Sequence, residues 1–402
     1  MKKLRLIILI ALTVIACWGL LKWSHGPIDE TIGRDFAAYW ASGHLLLNGD
    51  DPYSSDKILA VQKSLGWAEF DNYYSIIKEP IVIYNPPWVL TFLIPFCTSN
   101  FTADKMIWLI CMLSLMMFSA DRLWLIYGES RETRVWALIV MVTFVPGLFQ
   151  YKLGQIVPLV LMGLVGFLYF VKKGKWWLAG MMTVFIAVKP HTLYLFWFAL
   201  LFWAMKHRLW PVLTGSLLTL LCVAFLPLFY NPNVYSHYFN NVVTKSLDIY
   251  WLTPTLGTFL RLCFGSQYGW LQYIPTMAGL IWFIVYWRKY RNMWIWEDQL
   301  PLLILISLMT NFYTWPSDYL MILPAVIQGT VKIYQNPGVR YPGWIGLLYI
   351  IINIFAILST FYLGTHWWIW IPYALWINYI FAKRQLDVVR CTDLKQAEYS
   401  VG

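Results

Sequence analysis

Long apolar runs, rather than alternating apolar and polar positions, dominate the chain. Runs long enough, or nearly long enough, to cross about 30 Å of hydrocarbon fall at residues 5–22, 105–127, 135–150, 155–171, 176–189, 191–205, 209–229, 270–287, 299–313, 317–331, 342–362 and 366–382. They predict an all-α polytopic membrane protein of about twelve transmembrane helices, several of them short, in a single domain over residues 1–402. Two more polar segments, 23–104 and 230–269, interrupt the series. Neither is large enough to enclose a generous core of its own, so each reads as helices lying on the outer membrane surface. In the first, Phe36, Trp40, His44 and Leu47 recur at spacings of four and three, while Asp35, Tyr39 and Ser42 share another face. That pattern predicts an interfacial amphipathic helix. Asp35 falls in its first turn, where the helix dipole favours a carboxylate, so a helix-start role is the plain alternative to a chemical one.

Composition narrows the class. Hydrophobic residues make up 59% of the chain, aromatics 19% and charged residues 12%, with a mean hydropathy of +0.57, which excludes an ordinary soluble domain of 402 residues. Charge then orients the chain. If the N-terminus is cytoplasmic, 20 of the 30 Lys and Arg fall on the inner side. The outer side holds the other 10 with 12 of the 20 acids. This division places both termini inside and the outer segments outside under the positive-inside rule. The net charge of +10 therefore calls for membrane lipid as a partner and for no nucleic acid. Val14, Ile15, Ala16 and Cys17 look like a lipoprotein cleavage box, but the chain stays apolar beyond Cys17 and no A-x-A site follows, so residues 5–22 read as a retained span. The six cysteines are scattered without a C-x-x-C pair, which argues against a disulfide framework or structural zinc. No Gly-rich phosphate loop, Ser-His-Asp set or D-x-D pair is present, so no cofactor and no metal is expected.

Four motifs in order carry a resemblance. They are D-F-x-x-Y-W-x-x-G-x-x-L-L-x-G-x-D-P-Y from Asp35 to Tyr53, I-Y-N-P-P from Ile83 to Pro87, G-Q-I-x-P-L from Gly154 to Leu159, and W-W-L-A-G-x-x-x-x-x-A-x-K-P from Trp176 to Pro190. This succession resembles polyprenol-phosphate-mannose-dependent mannosyltransferases, which are type C, lipid-phosphate-sugar glycosyltransferases. The resemblance covers roughly residues 30–210, with a looser echo at Trp315, Pro316, Ser317, Asp318 and Tyr319. It implies a type C fold, a hexose donor carried on a polyprenyl phosphate, a lipid-linked or glycan acceptor, and inverting transfer on the outer face of the plasma membrane. It also implies that an aspartate in the first outer segment takes the proton from the acceptor hydroxyl, and Asp35 is the residue that matches.

A polyprenyl phosphate leaves as a stable anion, so cations can stand where a glycosidase needs a general acid. Lys152 and Lys189 are the candidates, because both break the positive-inside pattern at the outer ends of hairpins. The alternative is that their ammonium groups snorkel to the interface. Gln155 and His191 flank them and are candidates for the donor phosphate or sugar hydroxyls. Tyr39, Tyr84 and Asp318 are the substrate-side candidates, although Asp318 also suits a helix N-cap or first turn. Arg261 and Lys245 are weaker cation candidates. Pro86 and Pro87 predict the start of a short surface helix. Relatives often carry histidine near the 313–318 stretch, and this chain has none there. A transporter or a polyprenyl-phosphate flippase would share the many-span outline, and so would a subunit that binds the lipid without reacting. The gathering of polar residues on one face favours an enzyme, and Asp35 separates an enzyme from an inert lipid-binding subunit.

Overall fold

A computed structural model describes residues 32–65, 80–98, 100–128, 133–244, 252–336, 339 and 341–401. The expected first span at 5–22, the cleavage-box residues, Arg131 and Lys245 lie outside the described residues. Among those described, regular structure is helical and no strand occurs. In chain order the longer helices are α1 (Phe36–Leu47), α2 (Ser55–Ser64), α3 (Phe101–Gly128), α4 (Val135–Thr143), α5 (Val145–Leu153), α6 (Val157–Lys172), α7 (Trp176–Ile186), α8 (Tyr194–Lys206) and α9 (Trp210–Phe225). They continue with α10 (Leu256–Phe264), α11 (Ile274–Tyr290), α12 (Trp296–Thr310), α13 (Leu323–Gln335), α14 (Pro342–Tyr362) and α15 (Trp370–Val401). The described residues within 1–116, 148–190 and 209–251 form one compact unit, and those within 117–147, 191–208 and 252–402 form a second.

Among the described residues, three helices are long and apolar enough to cross a bilayer: Phe101–Gly128, Trp210–Phe229 and Pro342–Tyr362. Their outward faces are what lipid requires. Ile350, Ile354, Phe355 and Phe361 on α14, and Leu217, Leu221 and Phe225 on α9, remain exposed although the chain is folded. A bilayer satisfies such faces where water would not. This is a membrane protein.

The apolar run at 135–150, which predicts one span, is divided in the structure. It consists of α4 and α5, bent by 68° at Phe144. Pro146 lacks an amide hydrogen and cannot sit in an unbroken ladder. Phe144 adopts an extended backbone, and the freed Val145 N–H donates to Asn353 Oδ1 at 2.8 Å. With the bent pair taken as one, up to four spans meet the length test. The remaining apolar helices, including α6, α7 and α8, are shorter.

Small residues set the packing of the first unit. Gly163 on α6 is so close to α7 that a Cβ there would lie 2.9 Å from Phe185 Cβ. Gly215 on α9 faces Trp177, with a Cβ position 2.6 Å from its carbonyl oxygen. Glycines let helix backbones approach closely in a membrane, where dispersion contacts rather than a hydrophobic driving force hold helices together.

The expected interfacial helix is instead interior. Along α1, Phe36 to Gly43 and then Leu45 and Leu46 are all buried. Phe36 stacks on Trp108 with ring centroids 5.3 Å apart, and Trp40 Nε1 donates to Asp104 Oδ2 at 2.9 Å. The face carrying Asp35, Tyr39 and Ser42 is covered too, so α1 lies against protein all round. The proline prediction fares better: Pro87 opens the short broken helix Pro87–Phe96.

Candidate active site

Asp35 occupies the N-cap position of α1, yet its side chain caps nothing. An N-cap aspartate ordinarily accepts from a backbone N–H one turn on. Here the carboxylate is turned to side chains. Arg34 Nε meets Oδ1 at 3.0 Å and Gln155 Nε2 donates to Oδ2 at 2.6 Å. The Asp35 side chain is only 10% exposed, whereas Arg34 is 41% exposed. Two donors and the positive end of α1 offset the cost of keeping a carboxylate there.

Gln155 is the hub. Its Oε1 accepts from the Tyr39 hydroxyl at 2.8 Å and, at the long distance of 3.5 Å, from Lys189 Nζ. Its backbone oxygen accepts from Gln150 Nε2 at 2.8 Å. A carboxylate, an amide, a phenol and an ammonium are thus joined within the first unit. Lys189 is 8% exposed, following the last turn of α7.

Backbone contacts fix the turn that brings Gln155 to Asp35. Gly33 N–H donates to Lys152 O at 2.7 Å, and Asp35 N–H donates to Leu153 O at 2.8 Å. Gly154 lies between them with φ of +71°, and a Cβ on it would fall 2.8 Å from Gly33 Cα. Only glycine suits that conformation and that approach. Trp108 Nε1 closes the turn by donating to Gly154 O at 2.8 Å.

A second set of contacts ties residues 53–88 to the backbone just before Lys189. Asn85 Nδ2 donates to Val188 O at 3.1 Å, and Trp88 Nε1 donates to Ala187 O at 2.9 Å. Tyr53 in turn donates to Asn85 O at 3.0 Å. Burial foremost, with Tyr238, Tyr235 and Asp51 beside it, pushes the Tyr53 phenol well above its ordinary range, so it remains a donor. Asp51 accepts from Tyr53 N–H and from Asn241 Nδ2, both at 2.9 Å, and its Oδ2 lies 3.3 Å from His237 Nδ1.

Of the residues singled out in the sequence, the structure joins Asp35, Tyr39, Gln155 and Lys189 directly. Lys152 takes part through its carbonyl on Gly33, and its side chain is half-buried. Tyr84 is half-buried beside Asn85. His191 and Asp318 belong to the second unit. There Asn311 Nδ2 donates to His191 O at 2.7 Å, and the His191 ring lies 5.7 Å from that of Tyr313. Asp318 is 1% exposed, and its Oδ2 accepts from the Trp315 backbone N–H at 2.9 Å at the start of a 3₁₀ helix. Arg261 is held on Ser266 O at 2.6 Å within the second unit.

Sequence reasoning passed over Arg34 and Asn85. Arg34 had a usable signal, as a basic residue next to Asp35. Asn85 stood inside the quoted I-Y-N-P-P motif without a role. Among the described residues, no three His, Cys, Asp or Glu side chains gather as a metal site.

The arrangement can accept a proton at a carboxylate whose oxygens are pre-oriented, with a cation close by. Compared with known proteins, residues 83–312 match the family model described as glycosyltransferase family 87, which is more than half of the chain. The matched stretch includes Tyr84, Lys152, Gln155, Lys189 and His191, and it begins after Asp35. No curated protein and no solved structure matches the chain.

Proposed function

The chain belongs to glycosyltransferase family 87, and from that premise we propose that it transfers a hexose, with mannose first in line, from a polyprenyl phosphate to a lipid-linked or glycan acceptor on the outer membrane face. Glycosyl transfer itself follows from the family; the donor, the sugar and the face are this proposal. The observation that supports it is the Asp35 carboxylate, which leaves its own helix uncapped and is held instead by Arg34 and Gln155, with Lys189 on the same amide.

In this reading the acceptor hydroxyl attacks the anomeric carbon, and its proton passes to Asp35. The bond from that carbon to the phosphate oxygen breaks, and the polyprenyl phosphate leaves with the electron pair. Attack opposite the leaving group inverts the centre. Lys189 and Lys152 offset the negative charge that develops on the phosphate. One carboxylate suffices because a phosphate needs no proton to depart, unlike the alkoxide that leaves in glycoside hydrolysis.

The lipid tail supplies affinity of about 0.8 kcal/mol for each buried methylene, so the protein needs no nucleotide-binding domain. Purified protein in lipid is expected to transfer mannose from polyprenyl-phosphate-mannose and to ignore GDP-mannose and UDP-glucose. Transfer from a nucleotide sugar, with none from any polyprenyl-phosphate sugar, would overturn the donor assignment while leaving the family intact.

A further inference from the structure

We propose that Gln155 is a positioning residue for Asp35 rather than a ligand of the donor phosphate. The proposal rests on the reading of Asp35 as the base.

Three features of the geometry carry it. The amide N–H of Gln155 lies 2.6 Å from Asp35 Oδ2, the shortest side-chain contact that the carboxylate makes among those described. Its Oε1 accepts from Tyr39 and from Lys189, and the lysine ammonium can only donate, so the amide is oriented with its nitrogen toward the carboxylate. The backbone of Gln155 is itself fixed, by Gln150 Nε2 on its oxygen and by the Gly33–Gly154 contact one residue before it. An amide anchored on three sides and donating to one carboxylate oxygen sets the direction of the remaining lone pairs. The N–H engaged in this way is committed to Asp35 and not to a phosphate.

The charged and titratable groups around the pair come from several elements. Arg34 and Tyr39 belong to the segment of Asp35 itself. Lys189 follows α7. Lys152 lies on the turn that bonds Gly33. Lys105 lies in the first turn of α3, its Cε 3.2 Å from where a Gly33 Cβ would sit. These cations are present whatever residue stands at 155, so the contribution of Gln155 is read as a difference between variants.

Two variants of similar shape separate positioning from ligation. Gln155→Met keeps the volume and removes the hydrogen bonds; Gln155→Glu keeps the outline and places a like charge against the carboxylate. Turnover should fall about 10- to 100-fold in Gln155→Met, the worth of one charge-assisted hydrogen bond. Turnover should fall further still in Gln155→Glu, because a like charge replaces the donor against the carboxylate. The donor KM should stay within about twofold. Folding is checked by elution as a single monodisperse species, and Gln155→Glu carries the test if Gln155→Met fails it.

A raised donor KM with turnover unchanged in both variants would make Gln155 a donor ligand and overturn the proposal. The rates are measured with whichever glycosyl donor the wild-type protein accepts, so failure of the polyprenyl-phosphate assignment is seen separately. A loss from Gln155→Met that is undiminished when added to Asp35→Asn would not act through Asp35 and would overturn the coupling directly.

Discussion

Asp318 and Asp35 are both almost fully buried at the start of a helix, and they are used in opposite ways. Asp318 turns its carboxylate back onto the Trp315 N–H of its own turn. Asp35 leaves the first turn of α1 without a side-chain cap and points its oxygens at Arg34 and at Gln155, which is 120 residues away in sequence. The first carboxylate satisfies an orphan amide and stabilises the local fold. The second gives up that stabilisation, and the groups it meets are a guanidinium and an amide linked to a lysine. A buried acid that declines the nearest backbone donor in favour of a distant polar network is the better candidate for chemistry.

Substitutions can break or sharpen this contrast. The largest effect is expected for Asp35→Asn, which should lower glycosyl transfer about 10² to 10⁴-fold, as loss of a general base does. The melting temperature should hardly change, because no cap is lost. Near wild-type turnover would return Asp35 to a helix-start role and erase the distinction. Asp318→Ala should behave in the reverse manner. It strands a buried N–H and costs about 1 to 3 kcal/mol of stability, seen as a fall of a few degrees in the melting temperature, while the folded fraction keeps turnover within about tenfold. A turnover loss matching that of Asp35→Asn, at unchanged stability, would place both acids in the chemistry. The smallest effect belongs to Tyr39→Phe. This removes one neutral hydrogen bond to Gln155 Oε1, and turnover should drop about three- to tenfold.

The helical membrane architecture was legible because lipid demands long apolar runs, and the runs at 209–229 and 342–362 correspond closely to Trp210–Phe229 and Pro342–Tyr362. The break between α4 and α5 was also written in the chain, as Pro146 followed by Gly147 inside an apolar run. The burial of α1 was not. Its facial pattern has a polar side, and whether such a side meets water or other polar side chains depends on what packs there. In this case Trp108 and Gln155 supply that covering at Tyr39, both far along the sequence. The candidate site divided along the same line. Asp35, Lys189 and Gln155 could each be singled out by residue type and motif, but the amide that joins them could not, because local spacing says nothing about a contact across 120 positions.

The hairpin of α6 and α7 has a consequence for the depth of the site. At 1.5 Å per residue, the 16 residues of α6 rise about 24 Å and the 11 residues of α7 about 16 Å. The hydrocarbon layer is about 30 Å thick. With Lys172, Lys173 and Lys175 of its turn at one interface, the hairpin ends inside the apolar layer, or the layer thins to meet it. Gln155 and Lys189 stand at those two ends. A donor tethered by a hydrocarbon tail would then arrive sideways from the lipid at the level of its own phosphate, without first rising into water. Such a site would discriminate by solubility before any sugar hydroxyl is read, since a molecule confined to the aqueous phase has no route at that depth.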